Sequence, residues 1–178
     1  GAGPAGLACA IKLKELGYAK GEDIDVVLLE KGGSIGDHVL SGAILKPDIL
    51  DEWFPKWRHE LDSVVTQARQ DSMYWLTSNR KIPLPVPALM KNKGNVITSL
   101  SRVCRWMGER AEEKGVMVFP GYAGQSLIYQ DEKVVGVKTG DMGIDKAGER
   151  RANFQEGTEI YAKTIVLAEG CRGSLSQE

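Results

Sequence analysis

The first six residues, Gly1-Ala2-Gly3-Pro4-Ala5-Gly6, constrain the fold more than any other part of the chain. They match the spacing G-x-G-x-x-G, in which the first glycine permits a sharp turn after a strand. The second lets a pyrophosphate approach the backbone, and the third lets a helix pack closely on a sheet. Pro4 suits the first turn of that helix, whose free N–H groups and dipole favour phosphate. The alternative is a glycine-rich turn that opens an ordinary helix.

A strand and an acidic residue follow the motif in the expected order. Residues 24–29 (Ile-Asp-Val-Val-Leu-Leu) predict a buried strand that ends in Glu30, 24 positions after Gly6. An acid at about this spacing can accept hydrogen bonds from a ribose diol. The alternative is a solvated acid at a strand end. Between them, a helix is predicted, with Gly17 as its C-cap.

Composition excludes several classes of protein. The 178 residues are 42% hydrophobic and 26% charged, which is typical of one globular domain with a sizeable core. A net charge of -1 and mixed charges argue against a nucleic-acid partner. No apolar run is long enough to span a membrane as a helix. Three widely spaced cysteines and two histidines give neither a metal site nor a disulfide framework, and buried free thiols are expected at Cys9 and Cys104.

Further elements are predicted from periodicity and turn residues. Residues 47–54 predict a short helix, and a strong helical period begins at Ser99 and ends at Gly115. Two hairpins are expected, together with a polar loop or excursion over 141–157. Strands are expected at 116–119 and 164–168, and the second runs into Glu169-Gly170. The hairpins are predicted at 73–77 with 80–84 and at 126–129 with 134–138.

The order of these elements resembles the FAD-binding half of glutathione-reductase-type flavoproteins. Several segments are similar more specifically to the electron transfer flavoprotein–ubiquinone oxidoreductase family, over essentially the whole chain. They are Gly36-Asp37-His38-Val39-Leu40-Ser41-Gly42-Ala43, Asn92-Lys93-Gly94-Asn95, Arg105-Trp106-Met107, Phe119-Pro120-Gly121-Tyr122-Ala123, Thr139-Gly140-Asp141-Met142-Gly143-Ile144 and Ala168-Glu169-Gly170-Cys171-Arg172-Gly173.

The resemblance implies an α/β, Rossmann-like FAD-binding fold with an inserted β-rich subdomain. We expect the fold to be incomplete, with its first strand missing before Gly1. The predicted division is 1–45 for the FAD-binding βαβ part, 46–98 for an inserted quinone or cap segment, and 99–178 for a return to the FAD-binding domain. Because this strand is missing, we expect the segment to be poorly stable and inactive by itself.

The resemblance also implies which residues bind the cofactor. They comprise the pyrophosphate loop, the ribose acid and further residues along the chain. For Arg102 the alternative is a solvated charge on a helix, and for His38 it is a loop histidine without a chemical role. The predicted residues are Gly1, Ala2, Gly3, Pro4, Ala5, Gly6, Glu30, Lys31, His38, Ser41, Gly42, Arg102, Ala123, Glu169 and Gly170. No catalytic acid–base residue and no metal ligand is predicted in this chain.

By the same resemblance, the whole protein is an oxidoreductase that passes electrons from reduced electron transfer flavoprotein to ubiquinone. Its iron–sulfur cluster is expected only in C-terminal sequence outside this chain. The family implies peripheral, monotopic attachment to the mitochondrial inner membrane or the bacterial cytoplasmic membrane. Apolar residues between Leu40 and Phe54 resemble its membrane-dipping segment, with core packing between subdomains as the alternative. Two rival functions are another FAD enzyme, such as a geranylgeranyl-reductase-like reductase or an aromatic hydroxylase, and a non-catalytic binding module.

Overall fold

The computed structural model describes residues 1–144 and 148–178. Its helices are α1 Pro4–Lys20, α2 Asp48–Trp53, α3 Trp57–Glu60 and α4 Leu100–Glu113. Its strands are β1 Val27–Glu30, β2 Gly42–Leu45, β3 Val65–Gln67, β4 Met73–Leu76, β5 Lys81–Leu84, β6 Val96–Ser99, β7 Met117–Pro120, β8 Gly124–Gln130, β9 Lys133–Thr139, β10 Met142–Ile144, β11 Arg150–Gln155 and β12 Glu159–Tyr161.

The described residues divide into two compact units. The first unit consists of Gly1–Val39 and Cys104–Glu178, and the second consists of Leu40–Val103. The second unit is therefore an insertion within the sequence of the first. The predicted division at 45/46 and 98/99 stays a prediction.

The first unit begins with the predicted helix. Apolar residues Leu7, Ala10 and Ile11 are buried on one side of α1, which supplies part of this unit's core. The helix continues to Lys20 and ends at Gly21, whose φ of 72° is left-handed and whose N–H donates to the Gly17 and Tyr18 carbonyls. The prediction of Gly17 as the C-cap is therefore wrong. Gly17 is buried inside the helix, where an added Cβ would lie 2.9 Å from the Glu22 carbonyl oxygen.

Strand β1 pairs in parallel with β7, and this pair carries the βαβ pattern of the unit. The strand predicted at 24–29 begins later, at Val27, and includes Glu30. Helix α4 precedes β7 and buries Cys104, Met107 and Ala111, as its helical period predicts. Gly115 ends the turn after α4 with a left-handed φ of 81°.

The predicted hairpin at 126–138 is confirmed by β8 and β9, which pair antiparallel around Asp131 and Glu132. Both turn residues have positive φ, as in the tight turns that match strand twist. Strand β12 extends this sheet on the other side of β9.

The prediction of a strand at 164–168 is wrong, and the stretch 141–157, predicted as a polar loop or excursion, contains two strands. Strand β10 pairs with β11, and residues 145–147 lie outside the described residues. The mostly polar, exposed residues of β11 give no hydrophobic pattern that reveals a strand. Conversely, residues 164–168 form no strand in the part of the chain that the structure describes. Val166 and Leu167 are 55% and 40% exposed, and hydrophobic sequence alone does not make a strand without a hydrogen-bonded neighbour.

The second unit is built from short antiparallel pairs. Strands β2, β6 and β3 form a three-stranded sheet in that order, and β4 pairs with β5 as the predicted hairpin. The predicted helix at 47–54 is confirmed as α2. Trp57, Leu61 and Val96 are buried in this unit. Among the described residues, no helix is long and apolar enough to cross a membrane.

Candidate functional site

Gly3 and Gly6 of the fingerprint have different surroundings, and both fit a dinucleotide loop. Gly3 is the extended residue before α1, with φ -78° and ψ 178°, and an added Cβ there would meet no atom within 4 Å. At Gly6 a Cβ would overlap the Gly1 carbonyl oxygen, so the helix start packs directly on the turn. The helix N-terminus is therefore closely packed behind the loop and open in front of it, as an approaching phosphate requires.

Glu30 ties the end of β1 to this loop. One carboxylate oxygen accepts a hydrogen bond from the Ala2 N–H at 2.6 Å, and the other accepts from the Gly32 N–H at 2.7 Å. The residue is only 8% exposed, so the alternative of a solvated acid does not hold. A carboxylate can accept about four hydrogen bonds, so two backbone donors orient this group and leave capacity for hydroxyl donors.

The loop after Glu30 returns to the same carboxylate. Gly32 lies at its beginning, and His38 at its end places Nδ1 3.9 Å from Glu30 Oε1. The His38 side chain is 63% exposed, and Lys31 is exposed as well. His38 therefore lies at the rim of the Glu30 site, and Lys31 is exposed directly after Glu30 in the chain.

Two further predicted segments meet the loop or the fingerprint. The Gly32 carbonyl accepts a hydrogen bond from the Gly121 N–H at 2.7 Å, which places the end of β7 beside the loop. Ala123 follows, and its carbonyl accepts a hydrogen bond from the Gly140 N–H at 2.9 Å. Ala168 borders the fingerprint, because a Cβ added at Gly1 would lie 3.0 Å from the Ala168 carbonyl oxygen.

Glu169 points its carboxylate to the turn that follows it. The backbone N–H groups of Ser176 and Leu175 donate to it at 2.9 and 3.4 Å. Partial burial acts to raise the pKa of Glu169, but these hydrogen bonds together outweigh it and hold the pKa below its ordinary value. The hydrogen bonds of the Glu169 carboxylate thus go to the turn at Leu175 and Ser176. Gly170 has a left-handed φ of 77°.

Ser41, Gly42 and Arg102 belong to the second unit. The Ser41 carbonyl accepts a hydrogen bond from the Leu100 N–H at 3.0 Å, and Gly42 pairs with Ser99 at the start of β2. Arg102 is exposed near the beginning of α4. Their predicted roles toward the cofactor stay predictions.

Arg105 is a residue whose role the sequence reasoning missed. Its Nε donates to the Ile35 carbonyl at 3.1 Å, and its Nη2 lies 3.5 Å from Asp37 Oδ1. Both partners belong to the loop between Glu30 and His38. The available signal was Gly108, one turn further along an otherwise amphipathic helix, because a glycine inside a helix often marks a close approach.

The described part of the chain gives Cys104 no reactive thiol and holds no cluster of metal ligands. Cys104 is buried, as predicted, but the prediction of a buried thiol at Cys9 is wrong, because Cys9 lies outside the face of α1 that buries Leu7, Ala10 and Ile11 and is only half-buried. Burial, with a smaller contribution from the Glu30 carboxylate, raises the pKa of the Cys104 thiol to about 11. A thiol of this kind is protonated and unreactive at neutral pH. Within residues 1–144 and 148–178, no group of histidine, cysteine and acidic side chains could hold a metal ion.

Comparison with known proteins places this geometry in context. Residues 1–62 match the model of the NAD(P)-binding Rossmann-like domain. A Dictyostelium discoideum protein named mitochondrial electron transfer flavoprotein-ubiquinone oxidoreductase is 47% identical over 178 residues, which are 99% of this chain and 29% of the relative. The chain resembles electron transfer flavoprotein-ubiquinone oxidoreductase along its whole length.

Other relatives of the same name agree. The Oryza sativa protein is 48% identical over all of the chain and 31% of its own length, and the human protein is 44% identical over all of the chain and 29% of its own length. The chain therefore spans under a third of the length of these electron transfer flavoprotein-ubiquinone oxidoreductases. The predicted resemblance is confirmed.

Solved structures agree on the fold alone. A myxobacterial FAD-dependent halogenase has a TM-score of 0.64 at 18% identity, covering 99% of this chain and 37% of its own. A geranylgeranyl bacteriochlorophyll reductase-like protein of Thermoplasma acidophilum has a TM-score of 0.56 at 19% identity, covering 79% of this chain and 33% of its own. The predicted mixed α/β, Rossmann-like fold is confirmed.

Proposed function

We propose that this chain forms the FAD-binding part of an oxidoreductase that transfers electrons from reduced electron transfer flavoprotein to ubiquinone. The observation that carries the proposal is the 44–48% identity along the whole chain to relatives of that name. The buried Glu30 carboxylate beside an open glycine loop supports it on physical grounds. The glycine loop and the Glu30 carboxylate both belong to the first unit, which supports a single dinucleotide site there.

The residues fit FAD as follows. Gly3 leaves room for the pyrophosphate at the N-terminus of α1, and Gly6 fixes the close packing of turn and helix. Glu30 would accept hydrogen bonds from the ribose hydroxyls, since its orientation is already set by the Ala2 and Gly32 amides. When bound, the flavin supplies one-electron and two-electron redox chemistry. The chain's own contribution is to bind and orient the cofactor.

The remaining predicted cofactor residues have supporting roles in the proposal. His38 lies at the rim of the Glu30 site and would add positive charge there when protonated. Lys31, exposed directly after Glu30, would add positive charge near the same residue. Ser41, Gly42 and Arg102 belong to the second unit and remain candidates by resemblance. Ala123 and Gly170 would offer backbone groups.

Membrane attachment is the second part of the proposal. Leu40, Ile44 and Ile49 are 80%, 48% and 58% exposed, which suits a segment that lies in a bilayer interface. Relatives from Dictyostelium and human carry the word mitochondrial in their names. We propose peripheral attachment to the mitochondrial inner membrane, or to the cytoplasmic membrane if the source is bacterial.

The test is ubiquinone reduction by the full-length protein, with reduced electron transfer flavoprotein as the donor. Turnover with this donor and none with NADH or NADPH is expected. Turnover with a nicotinamide alone would favour a reductase or hydroxylase of similar fold. Absence of any bound flavin would favour a non-catalytic binding module.

A further inference from the structure

The loop from Gly32 to His38, here called the carboxylate loop, is fixed to helix α4 at two neighbouring points. Arg105 supplies the polar point, with its Nε 3.1 Å from the Ile35 carbonyl oxygen and its Nη2 3.5 Å from Asp37 Oδ1. Gly108 supplies the apolar point, because a Cβ there would overlap Ile35 Cδ1. The Ile35 side chain thus occupies the space that the missing side chain leaves.

The same loop is fixed internally by Asp37. Its Oδ2 accepts a hydrogen bond from the Ser34 N–H at 2.9 Å, while Oδ1 faces the Arg105 guanidinium. One carboxylate therefore closes the turn of the loop and links that turn to the helix. The side chains of Arg105 and Asp37 are 54% and 40% exposed, so the pair holds the loop from the solvent side.

Both ends of the carboxylate loop meet the proposed ribose acid. The Gly32 N–H donates to Glu30 Oε1 at 2.7 Å, and His38 Nδ1 lies 3.9 Å from the same oxygen. A shift in the middle of the loop therefore moves groups that orient this carboxylate. Errors of about 1 Å in the supporting residues are enough to weaken a binding site.

We propose that Arg105 is a positioning residue for the dinucleotide site, which it serves by holding the carboxylate loop, and not by contact with the cofactor. This inference rests on the proposed function, since it assigns Arg105 to the binding of the same FAD. It separates the role of Arg105 from that predicted for Arg102, which lies one turn earlier on α4.

The experiment measures the FAD dissociation constant of the full-length apoprotein by quenching of flavin fluorescence, with the unfolding midpoint without FAD measured alongside. The variants are Arg105→Met, Arg105→Lys, Asp37→Asn and the double variant Arg105→Met with Asp37→Asn. Arg69→Met is the matched control, because Arg69 is exposed in the second unit. FAD itself is the probe.

Arg105→Met is expected to raise the dissociation constant of FAD about fivefold, because the variant loses one weak, exposed ion pair and one hydrogen bond that hold the loop. Arg105→Lys should restore part of the affinity, since an ammonium can reach one partner but not both in the fork geometry of arginine. The double variant should lose less affinity than the product of the two single effects, because both changes remove the shared Arg105–Asp37 contact, while each also removes a contact of its own, at the Ile35 carbonyl or at the Ser34 N–H. The control should match the wild type.

Several results separate failure of this inference from failure of the proposed function. A wild-type protein that binds no FAD overturns the proposed function and this inference with it. A wild type that binds FAD, with Arg105→Met within twofold of it, overturns the positioning role alone. Effects of Arg105→Met and Asp37→Asn that multiply in the double variant also contradict it. If Arg105→Met does not fold, Asp37→Asn decides the question from the loop side, where unchanged affinity overturns the proposal.

Discussion

Replacement of Glu30 by glutamine tests the centre of the site with an almost unchanged shape. The wild-type carboxylate accepts from the Ala2 N–H at 2.6 Å with one oxygen and from the Gly32 N–H at 2.7 Å with the other. A glutamine keeps one acceptor oxygen and turns an NH2 group toward the second N–H. One charge-assisted hydrogen bond is lost and a buried N–H is left unsatisfied.

The magnitude follows from those two contacts. Loss of one hydrogen bond to a charged group costs about 1.5–3 kcal/mol, so the free energy of unfolding without cofactor should fall by roughly this amount. The ribose hydroxyls would also donate to a neutral oxygen in place of a carboxylate. At about 1.4 kcal/mol for each factor of ten, we expect the FAD dissociation constant to rise about tenfold.

The assay pairs denaturant unfolding of the apoprotein with titration of FAD into each variant of the full-length protein. Glu112→Gln is the control, because it removes one carboxylate charge at an exposed position on α4. The control should leave both quantities unchanged. If Glu30→Gln binds FAD within twofold of the control, then Glu30 does not receive the ribose, and the reasoning is refuted.

Three further predictions address the start of α1, the Glu169 carboxylate and the proposed membrane segment. Gly6→Ala should abolish FAD binding, because its Cβ overlaps the Gly1 carbonyl oxygen; retention of flavin absorbance after gel filtration would contradict this. Because the folded pKa of Glu169 is lowered, its stabilising contribution is present above its unfolded pKa and is lost as pH falls through the folded pKa. Melting temperatures across that acid range should therefore fall less for Glu169→Gln than for the wild type, and parallel curves would refute the assignment. Replacing exposed Leu40 and Ile49 by aspartate should reduce sedimentation of the full-length protein with phospholipid vesicles at least several-fold, and unchanged sedimentation would move the membrane contact elsewhere.

The sequence predicted the parts of the fold that local pattern controls. The helix after the fingerprint, α4 and the two hairpins follow from residue periodicity and turn chemistry, and the structure contains all four. The position of Glu30 at the end of the strand after the fingerprint helix could be predicted from the spacing along a βαβ unit, but its hydrogen bond from the Ala2 N–H could not.

What the sequence could not predict depends on neighbours. Strand β11 is polar and forms by pairing with β10, whereas the apolar run at 164–168 has no paired strand among the described residues. Gly17 lies inside the helix against Glu22 and Ile24, whereas Gly21 ends the helix with a left-handed φ of 72°, and this difference depends on where the following chain packs. Arg105 depends on a contact between residues 70 positions apart, which no local pattern encodes.

The visible absorption spectrum of the purified full-length protein, before and after addition of reduced electron transfer flavoprotein, tests the central claim most directly. Flavin bands that are bleached by this donor and recover on addition of a ubiquinone analogue are expected. A spectrum without flavin bands, or flavin bands that this donor leaves unchanged, would contradict the account.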